Sequence, residues 1–208
     1  MMTQKPALPP HSFYMVRHGE SEANVRKVAA GGGLDSPLTE NGIAQAKTLA
    51  SVIHHLPVKP SRVYHSPQIR ARDTAKYLNQ SLQLEMIEMH DLKEHIFGDW
   101  ENVVWETIRH LQEQGANPPN GETYDDFAAR VSRVIHQIFE TPHESPPILV
   151  AHGGLFRSIG RLYKIDIEHV PNCSLYQFTP APENIHFPWS VISHSPCPAN
   201  GLKQEKLF

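Results

Sequence analysis

The alternation of short strand-like runs with longer segments of helical periodicity constrains the fold of this chain more than any other feature. Residues 13–16, 62–65 and 148–151 form short runs that we predict to be strands, and the last is the strongest buried-strand signal. Segments with apolar residues at helical spacing lie between them, most clearly residues 124–139. Strands alternating with helices at this spacing predict an α/β fold with a largely parallel sheet.

The C-terminal part of the chain gives weaker signals. Residues 175–178 and 190–193 predict two late strands, whereas the polar residues beyond Pro196 are expected to fray. No linker or internal repeat interrupts the 208 residues, a length that one domain can reach. We therefore predict one domain over residues 1–208, with a core of about 13–195 and flexible termini.

Composition argues against several classes of function. The net charge of −3 provides no basic face for nucleic acid, and no run approaches the ~20 apolar residues that span a bilayer. Residues 1–10 are polar and rich in proline, without the apolar centre of a signal peptide, and Cys173 and Cys197 are too few for a disulfide framework. We therefore expect a cytoplasmic protein with no nucleic-acid or membrane partner, whose anionic ligands depend on local arginines.

Several polar side chains fall where predicted strands end. Arg17 and His18 follow the first strand, His152 follows the strand at 148–151, and Arg70 lies about one helical turn beyond the second strand. Ligands of parallel α/β folds bind beyond the carboxyl ends of the strands. The topology is therefore expected to bring these four side chains to one edge of the sheet.

Two histidines and two arginines suit an attack on phosphorus. Fixed positive donors match the charge on phosphoryl oxygens, and arginine offers two parallel donors without losing its proton. A neutral imidazole is a competent nucleophile near neutral pH because its ordinary pKa is about 6.5. The leaving alcohol then requires a proton, which a carboxylic acid in a partly desolvated site could supply.

Other interpretations of these residues stay open at this point. Arg70 could pair with Asp73 or Glu94, and His152 could be an ordinary core histidine. Residues 31–33 are three glycines without the Lys-Ser/Thr pair that completes a phosphate-binding P-loop. No His-Glu-x-x-His or Cys-x-x-Cys pattern occurs, so we predict neither a catalytic metal nor a cofactor.

A longer signature begins at the first predicted strand, and further blocks follow it in order. The chain contains Arg17-His18-Gly19-Glu20-Ser21-x-x-Asn24, which resembles the signature of the phosphoglycerate-mutase-like branch of the histidine phosphatase superfamily. Later blocks similar to those of this family are Asp35-x-Pro37-Leu38-Thr39, Ser66-Pro67-x-x-Arg70-Ala71, Leu92-x-Glu94-x-x-Phe97-Gly98-x-Trp100-Glu101, Gly121-Glu122-Thr123 and Val150-Ala151-His152-Gly153-Gly154. The resemblance spans about residues 13–178 and implies a three-layer α/β/α sandwich with a mostly parallel central sheet.

The resemblance also implies roles for individual residues. His18 would be the nucleophile that carries the phosphoryl group, and Glu94 would protonate the leaving group and later activate water. The predicted catalytic set, in which the other three residues bind phosphoryl oxygens, is His18, Glu94, His152, Arg17 and Arg70. Predicted substrate contacts come from Asn24, Ser21, Gly153 and Thr39.

The family contains both phosphatases and mutases, which share this signature. Mutases typically carry a longer, arginine-bearing insertion after the proton-donor block. Here the corresponding segment, residues 102–119, is short and contains a single arginine, Arg109. We therefore predict a metal-independent phosphomonoester phosphatase with a small-molecule substrate, and leave a homodimer open. The alternatives are a 2,3-bisphosphoglycerate-dependent phosphoglycerate mutase and a non-enzymatic phospho-ligand binding protein.

Overall fold

The computed structural model describes residues 8–167, 169–197 and 201–207, and a seven-stranded sheet forms its centre. The strands are β1 (Phe13–Arg17), β2 (Val63–His65), β3 (Met86–Glu88), β4 (Ile148–Ala151), β5 (Leu175–Pro180), β6 (Trp189–Cys197) and β7 (Gly201–Lys206). Their order across the sheet is β3-β2-β4-β1-β5-β6-β7. The predicted α/β fold is therefore confirmed, including the two late strands β5 and β6.

Six α-helices connect these strands. They are α1 (Glu22–Val25), α2 (Glu40–Val52), α3 (Ile69–Leu82), α4 (Trp105–Glu113), α5 (Tyr124–Glu140) and α6 (Gly153–Leu162). Threonine side chains cap two of them: Thr39 Oγ1 accepts the Gly42 N–H at 3.0 Å, and Thr123 Oγ1 accepts the Asp126 N–H at 3.1 Å. Each cap satisfies a backbone donor that the first turn of a helix leaves unpaired, which fixes where the helix begins.

The sheet is parallel in only one half, which corrects the prediction of a mostly parallel sheet. Pairs β3–β2, β2–β4 and β4–β1 are parallel, whereas β1–β5, β5–β6 and β6–β7 are antiparallel. Helices cross over between the parallel strands, as parallel pairing requires. The late strands β5 and β6 follow each other through a short connection without a helix, which permits antiparallel pairing.

Helices cover both faces of the parallel half, as the implied three-layer arrangement requires. Phe13, Met15 and Leu149 pack on one face against apolar residues of α5 and α6. Their chain neighbours Tyr14 and Val16 pack on the other face against residues of α2 and α3. Alternation of side chains along a strand therefore divides the core into two clusters, one on each side of the sheet.

The C-terminus departs from the expectation of a frayed tail. Residues 201–206 form the edge strand β7, which pairs with β6 from Cys197–Gly201 to Ile192–Lys206. Leu202 is buried in the α2/α3 cluster, and near the other end of the chain Leu8 joins the α5/α6 cluster. Hydrogen bonds to the edge of β6 and the burial of Leu202 stabilise β7, and neither can be inferred from its polar sequence. Residues 1–7, 198–200 and 208, which the flexible-terminus prediction also includes, lie outside the described residues.

Candidate active site

The sheet places two predicted site histidines side by side. In the register of β1 and β4, Arg17 pairs with Ala151, and the His18 N–H donates to the Ala151 carbonyl at 2.9 Å. His18 and His152 are the residues that follow these paired positions, and their ring centroids are 5.1 Å apart. The carboxyl ends of adjacent parallel strands therefore bring the two imidazoles together, as the sequence predicts.

The geometry around His18 defines its tautomer. His18 Nδ1 lies 2.7 Å from the Gly19 carbonyl oxygen, which can only accept a hydrogen bond, so Nδ1 carries the proton. Arg70 Nε donates to His18 Nε2 at 3.3 Å, so Nε2 presents its lone pair. Burial, together with the charges of Arg70 and Arg17, lowers the pKa of His18 well below its ordinary value. His18 is therefore a neutral imidazole whose unprotonated nitrogen faces an arginine.

Arg70 is held in place by backbone carbonyls. It is 2% exposed, and its Nη2 and Nη1 donate to the carbonyls of Gly31 at 3.0 Å and Leu34 at 3.4 Å. Burial lowers the pKa of Arg70 to about 10, which still leaves the guanidinium charged at neutral pH. Within the described residues it forms no ion pair with Asp73 or Glu94, so its charge is not neutralised by direct contact.

Two buried nitrogen atoms at this site have no hydrogen-bond partner among the described residues, and they are Arg17 Nε and His152 Nδ1. Arg17 is anchored through Nη1, which donates to the Val170 carbonyl. His152 Nε2 lies 2.8 Å from Ser66 Oγ, and that hydroxyl already accepts the Gln68 N–H at 3.3 Å. The Ser66 proton is then available for Nε2, which leaves the His152 proton on Nδ1. Buried donors without partners are costly, and an anion that accepts from both would remove that cost.

The carboxylate of Glu94 contacts the first turn of α6. Its Oε2 accepts the Gly154 N–H at 3.0 Å, and its Oε1 accepts the His95 N–H at 2.9 Å. A Cβ added at Gly154 would lie 2.0 Å from Glu94 Oε1, so only glycine allows the carboxylate to approach the helix this closely. Glu94 lines the same pocket as Arg17, His18 and Arg70.

The predicted substrate contacts have different positions. Ser21, Asn24 and Gly153 line the pocket, and Asn24 Oδ1 accepts from Ser21 Oγ and Asn172 Nδ2, each at 3.1 Å. Thr39 does not line the pocket, and its role as a substrate contact stays a prediction. Its hydroxyl caps α2 and donates to the Glu20 carboxylate at 2.8 Å, so it serves the loop that carries the signature.

The pocket is large and has two kinds of wall. Its volume is about 850 Å³. Beyond the residues at the strand ends, one part of the lining is apolar and consists of Val28, Phe97 and Trp105. In addition to Arg17 and Arg70, the lining contains the arginines Arg109, Arg157 and Arg161. The pocket can therefore accommodate a phosphomonoester with a bulky body.

Three further residues of the site were not predicted from the sequence. Ser66 contacts His152, Gln68 Oε1 accepts the Glu94 N–H at 2.9 Å, and Arg130 donates to the Glu94 carbonyl at 3.1 Å. Ser66 lies within a block that resembles the family, and this was the available signal for that residue. The partners of all three residues are distant in sequence, so the contacts themselves required the tertiary structure.

The residues that the structure describes, 8–167, 169–197 and 201–207, contain neither a candidate metal site nor a membrane-spanning helix. No group of three or more His, Cys, Asp or Glu side chains there could hold a metal ion. None of the helices in this part of the chain has the length and apolarity needed to cross a membrane.

Comparisons with known proteins agree with this geometry. Residues 13–189 match the histidine phosphatase superfamily, branch 1. The chain is 34% identical over 177 residues to an adenosylcobalamin/alpha-ribazole phosphatase of Salmonella typhimurium, covering 80% of this chain and 84% of that protein.

Solved structures show the same fold. A mycobacterial glucosyl-3-phosphoglycerate phosphatase aligns with a TM-score of 0.73 at 26% identity, over 86% of this chain and 96% of the other. The alpha-ribazole phosphatase of Shigella flexneri aligns with a TM-score of 0.68 at 28% identity, over 85% of this chain and 92% of the other. With its signature, its site geometry and the extent of these matches, the chain belongs to branch 1 of the histidine phosphatase superfamily.

Proposed function

We propose that this protein is a metal-independent phosphomonoester phosphatase that acts through a phosphohistidine intermediate on His18. The observation that carries the proposal is the state of His18, a buried neutral imidazole whose Nε2 lone pair lies 3.3 Å from Arg70 Nε. A nucleophile beside a fixed cation is suited to attack an anionic phosphoryl group.

In the first step, His18 Nε2 forms a bond to phosphorus. The phosphorus–oxygen bond to the alcohol breaks, and its electron pair goes to the leaving oxygen, which takes a proton from Glu94. Arg70 turns from His18 to the phosphoryl oxygens, while the unpartnered Arg17 Nε and His152 Nδ1 donate to the same oxygens. Charge that develops in transfer therefore meets donors on three side chains.

In the second step, water replaces the histidine. The Glu94 carboxylate accepts a proton from the water as its oxygen forms a bond to phosphorus. The phosphorus–nitrogen bond breaks, its electron pair returns to Nε2, and inorganic phosphate leaves. His18 and protonated Glu94 are thereby restored for the next turnover.

The substrate is proposed from the pocket. The volume of about 850 Å³ and the wall of Val28, Phe97 and Trp105 suit a phosphomonoester with a large, partly apolar body. The phosphorylated alpha-ribazole and glucosyl-3-phosphoglycerate named for the relatives are therefore the first two compounds to test on this chain.

The test is phosphate release in the presence of EDTA. The panel contains phenyl phosphate, alpha-ribazole 5′-phosphate, glucosyl-3-phosphoglycerate, and 3-phosphoglycerate with and without 2,3-bisphosphoglycerate, with His18→Ala as the control. We expect release that survives EDTA, disappears in the variant, and is fastest for a substrate with a large body. Loss of activity with EDTA would contradict metal independence, and isomerisation of 3-phosphoglycerate without release would favour the mutase.

A further inference from the structure

The backbone that carries Glu94 belongs to no regular element. Residues 93–97 lie between two short 3₁₀ turns, His90–Leu92 and Gly98–Trp100, and pair with no strand. Their backbone groups are therefore satisfied by tertiary contacts. A proton donor must be held close to its productive position, so the contacts that fix this segment bear directly on catalysis.

Arg130 of α5 binds two carbonyls of this segment and one carbonyl just before it. Its Nη1 donates to the carbonyls of Asp91 at 2.8 Å and Lys93 at 2.9 Å, and its Nη2 donates to the carbonyl of Glu94 at 3.1 Å. Its other two N–H groups donate to the Glu122 carboxylate, Nε to Oε1 at 2.7 Å and Nη2 to Oε2 at 2.6 Å. All five guanidinium donors are thus used, and the residue is only 7% exposed.

Glu122 extends this arrangement to the other side of Glu94. Its Oε2 also accepts the Ile96 N–H at 3.0 Å, and its carbonyl oxygen lies 2.7 Å from His95 Nε2. Burial alone would raise the pKa of Glu122, but the hydrogen bonds from Arg130 and Ile96 and the Arg130 charge lower it below its ordinary value. Glu122 is therefore ionised at neutral pH and forms a closed charge pair with Arg130.

We propose that the Arg130–Glu122 pair positions Glu94 for proton transfer, and this inference rests on the proposed function. The pair holds the backbone on both sides of Glu94, from Asp91 to Ile96. Among the described residues its hydrogen bonds reach the Glu94 carbonyl, whereas the Glu94 carboxylate accepts from His95 and Gly154. Gln68, the residue just before α3, holds the same backbone by accepting the Glu94 N–H at 2.9 Å. Arg130 and Glu122 are accordingly positioning residues, whose effect on the reaction passes through Glu94.

A lysine cannot replace Arg130 in this role. It keeps the charge but has three donors on one nitrogen, which cannot reach three carbonyls and both oxygens of a carboxylate. Arg130→Lys therefore tests the geometry while preserving the charge. Glu122→Gln is the second variant, because it keeps the shape of the side chain and removes the ion pair.

The readout is the ratio of kcat/KM for phenyl phosphate to kcat/KM for 4-nitrophenyl phosphate. Phenolate is the poorer leaving group and depends on the acid, whereas nitrophenolate leaves with little help. Because both rates come from the same preparation, the fraction of folded enzyme cancels in the ratio. The matched control is Arg62→Lys, which alters an exposed ion pair, Arg62–Glu85 at 2.9 Å, away from the site.

We expect Arg130→Lys to lower the ratio by ~10-fold or more, Glu122→Gln to lower it several-fold, and Arg62→Lys to leave it unchanged. We also expect Arg130→Lys to lower the ratio little further in a Glu94→Gln background, because both changes remove the same proton transfer. Equal slowing of both substrates by Arg130→Lys and Glu122→Gln would overturn the inference and indicate a role in folding alone.

A failure of the proposed function can be distinguished from a failure of the positioning inference. If His18→Ala retains hydrolysis, the phosphohistidine mechanism is wrong whatever the ratio does. If Glu94→Gln slows both substrates equally, Glu94 is not the acid, and the positioning inference is overturned with it. If Glu94→Gln lowers the ratio and Arg130→Lys does not, only the positioning inference is overturned.

Discussion

The two halves of the candidate active site are held by different kinds of structure. His18 and His152 follow two hydrogen-bonded strands, and the backbone that carries them belongs to the sheet. Glu94 lies in an irregular segment fixed by the side chains of Gln68, just before α3, and Arg130 of α5. We therefore expect changes in the first half to slow every substrate, and changes in the second half to act mainly on poor leaving groups.

The largest expected effect is that of removing the proposed nucleophile. His18→Ala should lower turnover by ~10⁴-fold or more for phenyl phosphate and 4-nitrophenyl phosphate alike, since no other group would form the intermediate. Glu94→Gln should instead slow phenyl phosphate far more than 4-nitrophenyl phosphate. Phosphate release and the melting temperature of each variant should be measured together. If both variants changed the two aryl phosphate rates in the same proportion, the two halves of the site would not act on different steps.

Arg70→Lys should have the next largest effect, ~10²-fold to 10³-fold in kcat/KM. Lysine keeps a charge near His18 but loses the fork that contacts Gly31 and Leu34 and would bind the phosphoryl group. The loss should be similar for both aryl phosphates, because this residue belongs to the first half. A loss confined to phenyl phosphate would place Arg70 with the proton donor instead.

Gly154→Ala should affect the second half alone. Its Cβ would lie 2.0 Å from Glu94 Oε1, so the carboxylate must move, and we expect ~10-fold slower hydrolysis of phenyl phosphate. Gly153→Ala is the matched control, because a Cβ there would meet its nearest atom, Arg17 Nε, at an ordinary 3.6 Å. The ratio of the two aryl phosphate rates should fall in the first variant and stay constant in the second.

The smallest expected effects concern stability against pH. Burial, with nearby positive charge, lowers the pKa values of His18 and His152, so the unfolded chain binds more protons below its ordinary histidine pKa. The free energy of unfolding should therefore fall as the pH falls below about 6.5, by up to ~1.4 kcal/mol per pH unit for each histidine. The lowered pKa of Glu122 predicts a separate loss, only below about pH 4.3.

Denaturant titrations across this range would check both windows. His18→Ala should reduce the slope in the upper window, to which His152 still contributes, and leave the lower window unchanged. Glu122→Gln should remove the Glu122 contribution in the lower window and leave the upper one unchanged. A single transition shared by both variants would show that the two halves of the site do not titrate independently.

Much of this molecule was predictable because its signals are local. Apolar runs and helical spacing predicted the strands β1, β2, β4, β5 and β6 and the helix α5. The ends of the first three strands also predicted that His18, His152, Arg17 and Arg70 would meet. The roles of these residues, the absence of a cofactor, the single domain, the homodimer and the cytoplasmic location stay predictions. Thr39 caps α2, for which a threonine before a helix is well suited, and its role as a substrate contact also stays a prediction.

The sequence by itself determined the strand-end chemistry, because residues next to a buried strand are placed wherever that strand is placed. The tertiary structure decided everything that depends on long-range contacts: the antiparallel half of the sheet, the strand β7, and the contact between Arg70 Nε and His18 Nε2. It also decided the hold of Arg130 on the segment of Glu94, 36 residues away. Irregular backbone carries no periodic signal, so its position is fixed only when distant side chains supply its hydrogen bonds.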